Sequence, residues 1–197
     1  MPTSDEAWQE VRKAVSVLTK MKIPYVLGGS MAGSTHGSPR TTNDADLMIV
    51  PFPGREAEFA QNFGTEYYVS LPAIIQANLS RSSFNIINTN LGFKLDFFVQ
   101  KLRPFDQSAL NRRQEKFFPP GTTEPTNVLT AEDLVLTKLE WYRLGGEVSE
   151  RQWKDVIEIL EANWPQLDRT YLGRWATELK VADLLPVALE EAGKSAG

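Results

Sequence analysis

The stretch from Tyr25 to Val50, YVLGGSMAGSTHGSPRTTNDADLMIV, decides how the rest of the chain is read. An apolar run from Ile23 to Leu27, broken only by Pro24, enters two glycines and a serine, Gly28, Gly29 and Ser30. A polar segment holding Arg40 follows, and Asp44-Ala-Asp46 then leads directly into Leu47, Met48, Ile49 and Val50. This order predicts strand, tight turn, short helix, loop and strand. In a strand, residues i and i+2 point the same way, so Asp44 and Asp46 project together and Ala45 faces the other side. Two carboxylates that close repel unless a cation sits between them or one keeps its proton. Mg²⁺ suits such a place, because it takes oxygen ligands from one or two carboxylates together with substrate phosphates. Glycine at 28 and 29 allows a sharp turn and a close approach of phosphate to the backbone. Ser30 opens the next helix, where free N–H groups favour an anion and its hydroxyl can donate to a phosphate oxygen. Arg40 is suited either to holding phosphate or to bracing a carboxylate.

A third acid lies downstream. Leu91 to Val99 reads as a strand with Asp96 between apolar neighbours. A carboxylate inside such a strand is costly unless it is paired or metal-bound. The run Phe84 to Asn88 precedes it across the turn-like Asn88-Thr-Asn-Leu-Gly92, which predicts a hairpin. If the Asp96 strand lies beside the Asp44 and Asp46 strand, the three acids converge.

The Gly-Gly-Ser turn, the run Arg40-Thr41-x-x-Asp44-x-Asp46 and the late acid Asp96 resemble the DNA polymerase β-type nucleotidyltransferase superfamily, and within it the small prokaryotic AbiEii toxin-like members. A second block is similar to their helical part: Leu129 to Leu139 with Lys138, then Arg143, then Gln152 to Leu160 with Asp155. The likeness covers roughly residues 23 to 160. It implies Gly28, Gly29, Ser30, Arg40 and Lys138 on the nucleotide, and Asp44, Asp46 and Asp96 as metal ligands and catalytic acids, with Asp155 in support. It implies Mg²⁺, with two ions about 3.5–4 Å apart. The activity implied is transfer of a nucleoside monophosphate from a nucleoside triphosphate to a hydroxyl on tRNA, a protein or a small molecule, with pyrophosphate leaving. An antitoxin is an implied partner. A catalytically inactive module that binds nucleotide or a partner is the competing expectation.

Composition sets outer limits. The 197 residues are 42% hydrophobic, enough for a real core, and include no cysteine, so disulfides and thiolate sites are excluded. No apolar run approaches 18 residues and the N-terminus lacks a signal pattern, so no membrane is expected and a cytoplasmic location is. Residues 1 to 130 carry 13 basic and 12 acidic side chains, whereas residues 131 to 197 carry 8 and 13. A broad basic surface for nucleic acid is therefore missing. One cluster, Lys94, Lys101, Arg103, Arg112, Arg113 and Lys116, starts on the Asp96 strand and reads either as flanking the pocket or as a solvated face, the second being slightly preferred. His36, the only histidine, reads as a loop hydrogen-bonding residue, and the tryptophans as packing residues.

The remaining pattern predicts helices over Asp5–Lys20 with Ser4 as cap, Gly54–Phe63 and Pro72–Ser80, and short strands over Glu66–Leu71 and Arg112–Phe118. Pro119–Asn127 reads as a linker. Helices are predicted over Ala131–Leu144, Ser149–Asn163, Asp168–Lys180 and Val181–Ala192, with Gly145-Gly146 as a stop and Ala192–Gly197 as a loose tail. The expected fold is α+β: a mixed β-sheet nucleotidyltransferase core over residues 1–125, and a helical C-terminal part over 126–197.

Overall fold

Alternation in two segments builds the centre of the sheet. In β2 (Asp44–Ile49) the residues Ala45, Leu47 and Ile49 are buried, and in β5 (Phe93–Val99) so are Phe93, Leu95, Phe97 and Val99. The intervening residues of each strand are only partly buried and share the opposite face. The computed structural model describes residues 3–196. Around the two central strands lie β1 (Tyr25–Leu27), β3 (Tyr67–Val69), β4 (Ser83–Asn88), β6 (Gln114–Lys116) and β7 (Thr126–Val128), in the order β3-β4-β5-β2-β1-β7-β6. The sheet is mixed: β2 runs parallel to β5 and β1 parallel to β7, while β1–β2, β4–β5, β3–β4 and β6–β7 are antiparallel. The α+β class expected from the sequence is the one found.

Helices α1 (Ser4–Lys20), α2 (Gly29–Thr35), α3 (Glu56–Gln61), α4 (Leu71–Ser80) and α5 (Pro104–Arg112) belong to the first two thirds of the chain. The apolar side of the sheet is closed by aromatic packing. Phe59 of α3 meets Phe84 and Phe97 edge-on at 5.9 and 5.5 Å, and those two rings stack at 5.0 Å. Helices α6 (Ala131–Leu144), α7 (Glu150–Asn163), α8 (Arg169–Glu178) and α9 (Leu184–Ala196) follow, with a short 3-10 turn at Trp164–Gln166. The C-terminal end of α6 reaches the acid-bearing side of the sheet, where Trp141 contacts Phe98 at 6.1 Å.

Polar links tie these helices to the rest. Arg103 bridges Asp106 and Glu140. The Tyr171 hydroxyl donates to the buried Asp133 at 2.6 Å, and the Arg112 guanidinium lies 3.5 Å over the Tyr171 ring. Burial of its carboxyl raises the Asp133 pKa, against the hydrogen bonds that hold it. No helix is long and apolar enough to cross a membrane among the described residues.

Several sequence expectations need correction. The cap of α1 is Thr3, not Ser4: its hydroxyl accepts from the Glu6 N–H while the Glu6 carboxylate accepts from the Thr3 N–H. Pro104–Arg112, for which no element is expected, is helix α5, begun by a proline in its first turn. The expected linker ends inside β7, which lies in the sheet between β1 and β6. The loose tail is helix as far as Ala196, with Ala192 fully buried, and Gly197 lies outside the described residues. Trp8 and Trp175 are buried as expected, but Trp141 is 50% exposed.

Candidate active site

The parallel register of β2 and β5 assembles the site. Asp46 is directly opposite Asp96, and Asp44 is opposite Lys94. Because the side-chain period is two, all four side chains lie on the half-buried face, two by two on adjacent strands. The expected convergence of the three acids is therefore a consequence of strand pairing. Lys94 completes the square, with its Nζ 2.7 Å from the Asp96 carboxylate. Asp44 accepts a hydrogen bond from the Thr42 hydroxyl. Asp46 has no ion-pair partner among the described residues. Its pKa is pushed up to about 6, mainly by burial and then by repulsion from Asp44 and Asp96.

The turn is fitted against this square. The Gly28 N–H donates to the Asp46 carbonyl at 2.8 Å, so the end of β1 and the middle of β2 hold each other. Gly29 has φ +58°, and a Cβ placed there would collide with the Asp46 carboxylate. Gly29→Ala is expected to cost roughly 1–3 kcal/mol through backbone strain alone, with the displacement of Asp46 added to it. Urea unfolding of the variant beside the parent measures this, and a change under a few tenths of a kcal/mol would mean that the turn relaxes freely.

Cations reach the site from the loop and from the helical part. Arg40 Nη2 donates to the buried Ser30 hydroxyl and its Nε to Asp155 at 3.3 Å. Lys138 of α6, also buried, donates to the same Asp155 oxygen at 2.7 Å. Arg40 Nη1 is buried and has no partner, a donor for which an anion is the natural acceptor. Two cavities of about 290 and 240 Å³ lie to the side. The larger is lined by Trp8, Arg40, Thr42 and Phe118, and the smaller by His36, Lys116 and Glu132. His36 is a loop hydrogen-bonding residue, its Nε2 lying 2.7 Å from the Leu129 carbonyl, and burial lowers its pKa.

The structure brings together the residues that the sequence assigns to nucleotide and metal. Gly28, Gly29, Ser30, Arg40, Asp44, Asp46, Asp96, Lys138 and Asp155 form one connected group. Lys94 of the basic cluster lies beside these residues, partly exposed and with its ammonium on Asp96, which matches the less preferred of the two readings of that cluster. Arg103 and Arg112 of that cluster are held by acids elsewhere. Thr42 is a further residue that the sequence reading passes over.

The donor set suits a hard divalent cation: three carboxylates on one face, one of them buried and without a counter-ion. Among the described residues no three acids already close on one point at ligand distance. Thr42 holds Asp44 and Lys94 holds Asp96.

No family model and no curated protein matches the sequence. Solved structures do. The solution structure of the antibiotic-resistance factor ANT(2'')-Ia superposes over 99% of this chain and 100% of its own, with TM-score 0.54 and 14% identity. An antigenic nucleotidyltransferase-like protein from Paracoccidioides brasiliensis covers 96% of this chain and 94% of its own, with TM-score 0.52 and 16% identity. ANT(2'')-Ia in complex with adenylyl-2''-tobramycin covers 90% and 98%, with TM-score 0.51 and 12% identity. The likeness is one of fold: this chain has the fold of the nucleotidyltransferases, along essentially its whole length.

Proposed function

We propose that this protein is a Mg²⁺-dependent nucleotidyltransferase that moves a nucleoside monophosphate from a nucleoside triphosphate to the hydroxyl of a small molecule. The observation that carries the reading is the register of β2 and β5, which sets Asp44, Asp46 and Asp96 on one half-buried face against the Gly28-Gly29 turn. Arg40 and Lys138 supply positive charge for the phosphates, and Arg40 Nη1 is a buried donor without a partner. Asp155 positions both cations. Asp44 and Asp46 would hold Mg²⁺, with Asp96 completing the set. When bound, Mg²⁺ supplies charge neutralisation to the reacting phosphate oxygens. In the reaction the acceptor oxygen forms a bond to the α-phosphorus and the bond from that phosphorus to the bridging oxygen breaks. Asp96 takes the hydroxyl proton, and pyrophosphate leaves past Arg40 and Lys138.

A small-molecule acceptor is favoured over tRNA because the cations nearest the sheet are held internally. Arg103 is paired with Asp106 and Glu140, and Arg112 with Glu132. Such side chains are not free to line a phosphate backbone. One protein of the same fold, ANT(2'')-Ia, has been crystallised with an adenylylated form of tobramycin.

Label transfer tests the proposal. The four nucleoside triphosphates, labelled at the α-phosphate, are offered with Mg²⁺ to a pool of small hydroxyl compounds including aminoglycosides, to total tRNA and to a protein lysate. Label is expected in the small-molecule fraction and absent with Asp44→Ala. Label in tRNA or protein overturns the acceptor choice. Nucleotide binding without transfer overturns the enzyme in favour of a binding module. Growth arrest that needs Asp44, together with a co-purifying inhibitor protein, would establish a toxin held by an antitoxin.

A further inference from the structure

We propose that Lys94 is an internal cation that restricts the site to one divalent ion until a nucleotide arrives, an inference that rests on the metal-dependent reading above. The square formed by β2 and β5 has four corners, three carboxylates and one ammonium. Lys94 stands opposite Asp44 in the ladder and is bonded to Asp96 two residues along its own strand. Its ammonium sits on the Asp96 carboxylate, on the face that Asp44 and Asp46 share, where a second cation would have to bind.

The other cations near the site are committed elsewhere: Lys138 and Arg40 are both turned onto Asp155. Lys94 is the cation bonded directly to an acid of the square. Asp46, half-buried and without an ion-pair partner among the described residues, is the point to which a first divalent ion is drawn, with Asp44 beside it. A second ion on Asp96 is disfavoured while the ammonium holds one of its oxygens, because the two cations repel.

The arrangement is also reversible. The Lys94 side chain is 41% exposed, so its flexible stem can leave Asp96 without crossing a packed interior. A bound triphosphate gives the ammonium another anion, and Asp96 is then freed. Lys94 is in this sense a positioning residue: it acts through Asp96 and makes completion of the site conditional on the nucleotide.

Counting bound Mn²⁺ tests this directly, by the loss of the free-ion paramagnetic resonance signal as the full-length protein is added. The parent, Lys94→Met and Lys94→Arg are each titrated with and without α,β-methylene analogues of the four nucleoside triphosphates. The parent and Lys94→Arg are expected to bind one ion alone and two with an analogue. Lys94→Met is expected to bind two ions in both conditions, the second at least roughly tenfold more tightly than the parent does without nucleotide. Asp96→Asn, which removes the shared carboxylate and keeps the ammonium, is expected to stay at one ion throughout. It also provides the reading should Lys94→Met fail to fold. A merely structural ion pair would lower the melting temperature of Lys94→Met and leave its ion count at that of the parent, and that result overturns the proposal. So does a parent that binds two ions without nucleotide. If no form binds Mn²⁺ under any condition, the metal-dependent reading of the site fails, and this inference with it.

Discussion

Asp46→Asn is expected to abolish nucleotidyl transfer and, at neutral pH, to stabilise the protein. The carboxyl of Asp46 is buried beneath the Gly29 turn between two other acids, and its pKa rises from 3.8 to about 6. A carboxyl with a raised folded-state pKa takes up its proton in the folded protein at a pH where the unfolded chain has already lost it. Stability from this group is therefore greatest below about pH 4, falls as the pH rises from about 4 to about 6, and is flat above. The charged form at pH 7.5 is unfavourable by up to roughly 3 kcal/mol. Asparagine keeps the shape and removes the charge, so the variant should unfold at higher urea than the parent at pH 7.5 and at nearly the same urea at pH 4. Mg²⁺ with nucleotide should raise the parent's stability by mass action and leave the variant unchanged. Transfer should fall by about a thousandfold or more, as when a preorganised charge partner of the transition state is removed. Equal stability of the two proteins at both pH values would show that Asp46 is solvated in the folded state, and the burial argument would be lost.

That prediction rests on a register which the residues alone do not reveal. Period-two alternation makes β2 and β5 legible, and the glycines before Ser30 make the turn legible. What alternation cannot supply is which residue of β5 stands opposite Asp46, because some fifty residues separate the strands and their pairing is a tertiary choice. Lys94 was within reach of the same rule that pairs Asp44 with Asp46, since it precedes Asp96 by two on one strand. Grouping it by charge with Lys101 and Arg103 hides its direction. The two elements that escape the reading do so for different reasons. Helix α5 carries a weak apolar stripe, with Phe105, Ala109 and Leu110 buried and a proline at its start that reads as a break. Strand β7 is three residues long behind Pro125, and it is a strand because β1 and β6 supply partners on both sides. Lys138 and Asp155 have the spacing of exposed helix residues with nearby opposite charges. Only the packing of α6 against α7 shows that they are buried and face each other.

That buried pair gives the second large effect. Asp155 is the common counter-ion of Lys138 and Arg40, and its side chain is 7% exposed. Asp155→Ala leaves an ammonium and a guanidinium close together with no anion, and is expected to cost about 3–5 kcal/mol. A double variant, Lys138→Met with Asp155→Leu, removes the buried pair and should recover most of that loss, since apolar groups of similar volume replace both charges. Activity should not return with stability. In the double variant Lys138 no longer reaches the phosphates, and Arg40 keeps only Ser30 to orient it. Thermal unfolding and steady-state transfer on the same samples separate the two effects. Asp155→Asn, which can still accept from Lys138, should retain the fold better than Asp155→Ala and require more nucleotide for half-maximal rate, because the cations are then less firmly placed. Recovery of both stability and transfer in the double variant would mean that Lys138 and Asp155 serve the fold alone. The phosphate site would then have to be drawn with Arg40 as its cation from the helix-facing side.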